Sequence, residues 1–146
     1  MSRILFVDDE PSVLDGIRRA LRGAYETEFA EGGAAALALV ERDEFAVVVT
    51  DMKMPGMAGP ELLGRIREIQ PDTVQMVLSG HADLASTVTA VNEGNLFRFL
   101  MKPTDRTVLG AALDAALEQH RLRRAERDLL EQTVTGAVDA LVDLLA

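Results

Sequence analysis

A chain of 146 residues holds one hydrophobic core and little more. Its net charge of −9 excludes a general phosphate-neutralising face, and so nucleic-acid binding by this segment or attraction to an anionic membrane. It has no cysteine, which removes disulfides, thiolate chemistry and Cys-ligated zinc, and an aromatic content of 4% without Trp leaves little for base stacking.

The opening "MSRILFVDDEP" meets acids after four apolar residues, too short a run for a signal peptide. No apolar run approaches the roughly 20 residues of a membrane span, so a cytoplasmic chain is expected. The first strand is "ILFV" (4–7). A helix follows behind Pro11, carried by Val13, Ile17, Ala20 and Leu21 at helical spacing, with Gly23 as its stop. "ETEFA" (26–30) alternates polar and apolar and reads as an edge strand. "GAAALALVERDE" (33–44) is an Ala-rich helix, and "FAVVV" (45–49) a strand covered on both faces. "PELLGRIREI" (60–69) carries Pro in its first turn, a position that proline suits. "VQMVL" (74–78) is the fourth strand. "DLASTVTAVNEG" (83–94) is a helix weakened by β-branched residues, and "LFRFL" (96–100) the fifth strand. From Thr104 the pattern is helical to the end.

The order βαβαβαβαβα predicts a parallel sheet with helices on both faces. Its binding crevice lies beyond the carboxyl ends of the strands. The final helix is longer than closing the domain requires. Leu130, Val134, Ala137, Leu141 and Leu144 alternate four- and three-residue steps, a short a/d seam, while "EQHRLRRAERD" (118–128) interrupts it with charge. Gly136 weakens this helix by about 1 kcal/mol relative to Ala. A partner-facing helix and homodimer are expected here, a frayed solvated tail being the plainer alternative.

Asp8 and Asp9 follow the first strand, Asp51 the third, Ser79 the fourth and Lys102 the fifth. Carboxylates gathered at one crevice repel one another, and a hard divalent cation such as Mg²⁺ relieves that by taking oxygen ligands. A hydroxyl and an ammonium from the facing strands then hold the remaining oxygens of a phosphoryl group. Asp51 stands on a rigid strand end as the nucleophile. Singly, each feature is also an ordinary cap or turn residue. The only two lysines, Lys53 and Lys102, fall beside this site in an arginine-rich chain.

These segments resemble the receiver domain of bacterial two-component response regulators over about residues 3–120. "ILFVDDEP" is similar to its acidic pair, "VVVTDMKMPGMAGPELL" to its phosphoacceptor loop, "VLSGHAD" to its Ser/Thr strand end and "FRFLMKP" to its terminal Lys-Pro. The resemblance implies a flavodoxin-like, doubly wound, five-stranded parallel sheet of order 2-1-3-4-5. It implies a receiver over 1–120 and a helical extension, connector or dimerisation helix over 121–146. Asp51 would accept a phosphoryl group from a histidine kinase or phosphotransfer protein. Asp8, Asp9, Asp51 and the Lys53 carbonyl would hold Mg²⁺, with Asp8 acting through water. Ser79 and Lys102 would bind the phosphoryl oxygens. Ser79 and Phe99 would form the switch, Phe99 standing where the family often has Tyr, while Lys53 and His81 would tune dephosphorylation. A cis Lys102–Pro103 bond is implied as well.

In this reading the chain is a signalling switch rather than an enzyme acting on a separate substrate. Phosphorylation changes the surface of the fourth helix, fifth strand and fifth helix. An aspartyl-phosphate phosphatase is the competing class, but its general acid would fall at Lys53, a poor substitute. A phosphorylation-independent dimer scaffold is the third class. The tail "RDLLEQTVTGAVDALVDLLA" resembles a connector to an output domain, such as a metal-dependent cyclic-dinucleotide phosphodiesterase, so the chain is expected to be the N-terminal part of a larger regulator, a stand-alone receiver with a dimerising helix being the alternative.

Overall fold

A computed structural model of the chain describes residues 2–80 and 96–146. Five parallel strands form one sheet: β1 (Arg3–Asp8), β2 (Glu26–Glu31), β3 (Val47–Thr50), β4 (Val74–Ser79) and β5 (Arg98–Met101). Their order is β2-β1-β3-β4-β5, as the family resemblance implies, with the alternating strand β2 at an edge. The described helices are α1 (Pro11–Ala20), α2 (Gly33–Arg42), α3 (Gly59–Ile69) and the long C-terminal α4 (Arg106–Leu145). The helix expected over 83–94 lies outside the described residues, as does His81. No helix among the described residues is long and apolar enough to cross a membrane.

Successive strand residues point to opposite faces, and helices cover both, so the central strands are apolar throughout. Ile4, Phe6, Val47, Val49, Val74 and Met76 face one layer, packed with Leu14 of α1 and with Leu109 and Leu113 of α4. Leu5, Val7, Val48 and Val77 face the other, against Val40 of α2 and Leu62 and Ile66 of α3. On the edge strand, Phe29 stacks on Phe6 at 5.5 Å and carries the Arg18 guanidinium 4.5 Å above its ring.

Short polar braces close the two ends. At the start of the strands, Gln70 donates to the carbonyls of Val40 and Asp43 at 2.7 and 2.6 Å and accepts from the Phe45 N–H at 2.9 Å. One amide side chain thereby ties α2, β3 and α3 together. The Thr73 hydroxyl donates to the Phe45 carbonyl at 2.7 Å. α4 is capped by Asp105, which accepts from the Val108 N–H, and fastened to β2 by Tyr25, whose hydroxyl donates to Asp114 at 2.7 Å.

The charge-dense segment within α4 is not simply solvated. Arg123 donates to the Thr73 carbonyl at 3.3 Å, Arg127 pairs with Asp72, and Arg124 lies 3.6 Å from Glu44. These bonds keep the stem of α4 against the turn between α3 and β4. Beyond it the helix runs on as one continuous element to Leu145.

Two outcomes test these braces. Gln70→Ala is expected to lower the unfolding free energy by about 2–3 kcal/mol in urea denaturation, because it removes three hydrogen bonds to the backbone of Val40, Asp43 and Phe45. Tyr25 is the only tyrosine and there is no Trp, so its titration can be read by absorbance. Burial first, then the bond to and charge of Asp114, push its pKa up to about 12, with Arg106 opposing. The unfolded phenol titrates near 10. The stability this bond contributes is therefore complete below pH 10 and lost between 10 and 12. A folded midpoint near 10 would mean that the Tyr25–Asp114 bond is absent.

Candidate functional site

Parallel strands all finish at one end of the sheet, and there the acids meet. Asp8 closes β1, Asp51 follows β3, Ser79 closes β4 and Lys102 follows β5. Two backbone bonds align these ends: the Asp51 N–H donates to the Val7 carbonyl at 3.0 Å, and the Lys102 N–H to the Ser79 carbonyl at 2.8 Å. The Lys102–Pro103 bond is cis.

Asp51 is buried, and both its carboxylate oxygens are engaged. Oδ1 accepts from the Met52 N–H at 2.7 Å and from the Ser79 hydroxyl at 3.0 Å. Oδ2 receives the longer bond from Lys102 Nζ at 3.3 Å. The same ammonium makes its shorter bond, 2.6 Å, to Asp8 Oδ2, while Asp8 Oδ1 accepts from the Glu10 N–H at 3.0 Å. Lys102 is thus an internal counter-ion shared by two buried acids. Burial lowers its pKa, but the bond to and charge of Asp8, and then those of Asp51, more than offset this and hold it above the usual lysine value. The ammonium is charged throughout the neutral range.

Ligand oxygens of Asp8, Asp9 and Asp51 all lie within 4.8 Å of one another, and Asp9 is exposed. Three hard oxygen donors with one side open to water fit Mg²⁺, which keeps several waters and takes few carboxylates. Lys53 is exposed beside this cluster. Phe99 sits on β5 with its ring half-buried against the core layer that contains Val77.

The acceptor loop is held from beneath. Met52 and Met54 are buried, and the Thr50 hydroxyl donates to the Asp51 carbonyl at 3.0 Å. The turn at Pro55-Gly56 needs the positive φ of 80° that Gly56 adopts. Gly59 is required for a different reason. Its N–H donates to the Met52 carbonyl at 2.9 Å, and a Cβ there would fall 2.2 Å from the Asp51 carbonyl oxygen. Neither Thr50 nor Gly59 stood out in the sequence. The signal for Gly59 was its place ahead of Pro60, where a helix starts hard against a strand end.

With this geometry in place, comparison with known proteins is decisive. Residues 4–114 match the response regulator receiver domain. The chain belongs to that family. It is 35% identical over 128 residues to the transcriptional regulatory protein GlrR of Escherichia coli (strain K12), a match covering 86% of this chain and 28% of that protein. The chain spans about a quarter of the length of such curated relatives. Its receiver fold superposes with a TM-score of 0.85 on a structure titled adenylate cyclase from Rhodopirellula baltica, at 40% identity, covering 89% of this chain and 97% of that one. The response regulator TrrA of Thermotoga maritima, solved in complex with Mg(2+)-BeF, superposes with a TM-score of 0.71 at 28% identity, covering 80% of this chain and 100% of that one.

Because the Lys102 ammonium pairs with two of the acids, at 2.6 Å from Asp8 and 3.3 Å from Asp51, it is expected to compete with an added cation. Lys102→Met is expected to bind Mg²⁺ about tenfold more tightly in calorimetric titration. Unchanged affinity would show that the two cations do not compete.

Proposed function

We propose that this receiver is a phosphoacceptor switch that takes a phosphoryl group onto Asp51 from a kinase phosphohistidine. The observation that carries the reading is the convergence on one carboxylate of a hydroxyl, an ammonium and two further acids. Oδ2 of Asp51, held among the described residues by the longer lysine bond, attacks phosphorus as the P–N bond breaks to a donor imidazole protonated at its other ring nitrogen. The result is an acyl phosphate and a neutral histidine on the donor.

Asp8, Asp9, Asp51 and the Lys53 carbonyl would hold Mg²⁺, which when bound neutralises charge on the transferring group. The chain's own groups do the rest. Ser79 and Lys102 leave the Asp51 oxygens for the incoming phosphoryl oxygens, and the Met52 N–H keeps the acceptor oriented. A hydroxyl drawn toward phosphate leaves room at the end of β4, into which the half-buried Phe99 ring repacks. Phe99 has no hydroxyl, so this switch works by ring burial alone. Such a small shift biases a bistable surface next to β5. His81 and Lys53 would govern the approach of the water that ends the signal.

Residues 1–120 form the receiver and 121–146 an extension that carries its state onward, to a second copy and to an output domain of a larger regulator. The partner that loads it is a histidine kinase or phosphotransfer protein.

Wild-type chain is expected to take up about one phosphoryl group per molecule from acetyl phosphate in Mg²⁺, as seen by intact-mass or phosphate-affinity electrophoresis. Asp51→Asn should take up none. Persistent stoichiometric labelling of that variant would sink the assignment.

A further inference from the structure

β3 reads Val47, Val48, Val49 and then Thr50, so an apolar strand ends on a hydroxyl where a fourth valine would have nearly the same shape. Thr50 is 1% exposed, and alternation along the strand puts its side chain on the face of Val48, in the layer closed by α3. A hydroxyl taken out of water there is costly unless it is bonded. Its bond goes to the backbone: Oγ1 donates to the Asp51 carbonyl at 3.0 Å, with the Met54 thioether 3.9 Å away.

That carbonyl is one half of the peptide unit joining Asp51 to Met52. The unit is planar and trans, so its oxygen and its N–H point in opposite directions, and fixing one fixes the other. The N–H is the group that donates to Asp51 Oδ1 at 2.7 Å. The Met52 carbonyl in turn accepts from the Gly59 N–H at 2.9 Å, and Gly59 passes so close to the Asp51 carbonyl oxygen that a Cβ has no room. Thr50 therefore grips the back of a peptide whose front faces the acceptor.

We infer that Thr50 is a positioning residue that shortens the life of the Asp51 acyl phosphate, by holding the Met52 N–H on the oxygen distal to phosphorus. In hydrolysis a water oxygen bonds to phosphorus and the bond from phosphorus to Oδ2 breaks. The electron pair returns to the carboxylate and spreads onto Oδ1, while both water protons leave with the phosphate as H₂PO₄⁻. A donor already aimed at Oδ1 meets that charge as it develops and speeds the departure. Thr50 thus acts on the leaving group, where Lys53 and His81 would act on the water. This rests on the proposed function, in which Oδ2 takes the phosphoryl group.

The test labels wild type, Thr50→Val and Thr50→Ser with acetyl phosphate in Mg²⁺, removes the donor and follows loss of the label by phosphate-affinity electrophoresis. Thr50→Val is expected to lose its label about fivefold more slowly than wild type, as one weakened hydrogen bond implies, and Thr50→Ser at the wild-type rate. A general loosening of the site would admit water and speed the loss, so the sign separates the two roles. Unchanged or faster loss in Thr50→Val overturns the inference. An equally slow Thr50→Ser also overturns it, by assigning the effect to the methyl group, and so does a Thr50→Val chain that takes no label when wild type does. A second readout needs no phosphoryl group. In chain labelled with ¹⁵N-methionine, the Met52 amide proton should move upfield in Thr50→Val and return in Thr50→Ser, and an unmoved resonance overturns the positioning role. Wild-type chain that takes no label defeats the proposed function and the lifetime claim with it, whereas the Met52 resonance still decides whether Thr50 holds the peptide.

Discussion

Two buried carboxylates, Asp8 and Asp51, share one ammonium, and the rest of the site depends on that sharing. Burial of an unpaired acid is expensive, and breaking a buried pair leaves that cost exposed. The parallel sheet supplies the remedy through its topology. Strands that begin at one end finish at the other, so residues distant in sequence arrive together. Lys102 comes from the edge strand's exit and reaches across β4 and β3 to Asp8 on β1. The ammonium therefore stabilises the resting arrangement while standing where an added cation would be welcome.

Much of this was legible from the residues. The apolar runs at 4–7, 45–49 and 74–78 mark strands buried on both faces, and the alternation at 26–30 marks an edge. Boundaries moved by a residue or two where backbone pairing, not hydropathy, decides them. The third strand opens at Val47 because Phe45 and Ala46 bond to Gln70 and Arg3 outside the ladder. Asp8, Asp9, Asp51, Ser79 and Lys102 were visible because each ends an apolar run. Thr50 and Gly59 were not, because their roles are contacts with the backbone of Asp51. No pattern of side chains announces a contact of that kind. Gln70, Tyr25 and Asp72 were hidden for the same reason: each bonds to a segment far away in sequence.

The molecule thus has two polar ends with different work. At the strand exits, polar groups converge on the two oxygens of one carboxylate, Asp51. At the strand entries, Gln70, Thr73 and Asp72 converge on backbone and on arginines of α4, and hold the helix to the body. The apolar layers between them are continuous, so a shift at one end is felt by packed residues rather than absorbed in voids. The arginines that break the apolar pattern of α4 mark the place where helix and body part company.

One helix carries both the face that docks on the receiver and the face left open, with nothing between them to swivel. The angle separating the two is therefore set by residue count alone. Each residue inserted between Ala116 and Leu130 would turn the outer face by about 100°, while seven would bring it almost back into phase. Spacer length in this chain works as a rotational setting, so variants of this stem should tolerate insertions by multiples of seven far better than by two or three.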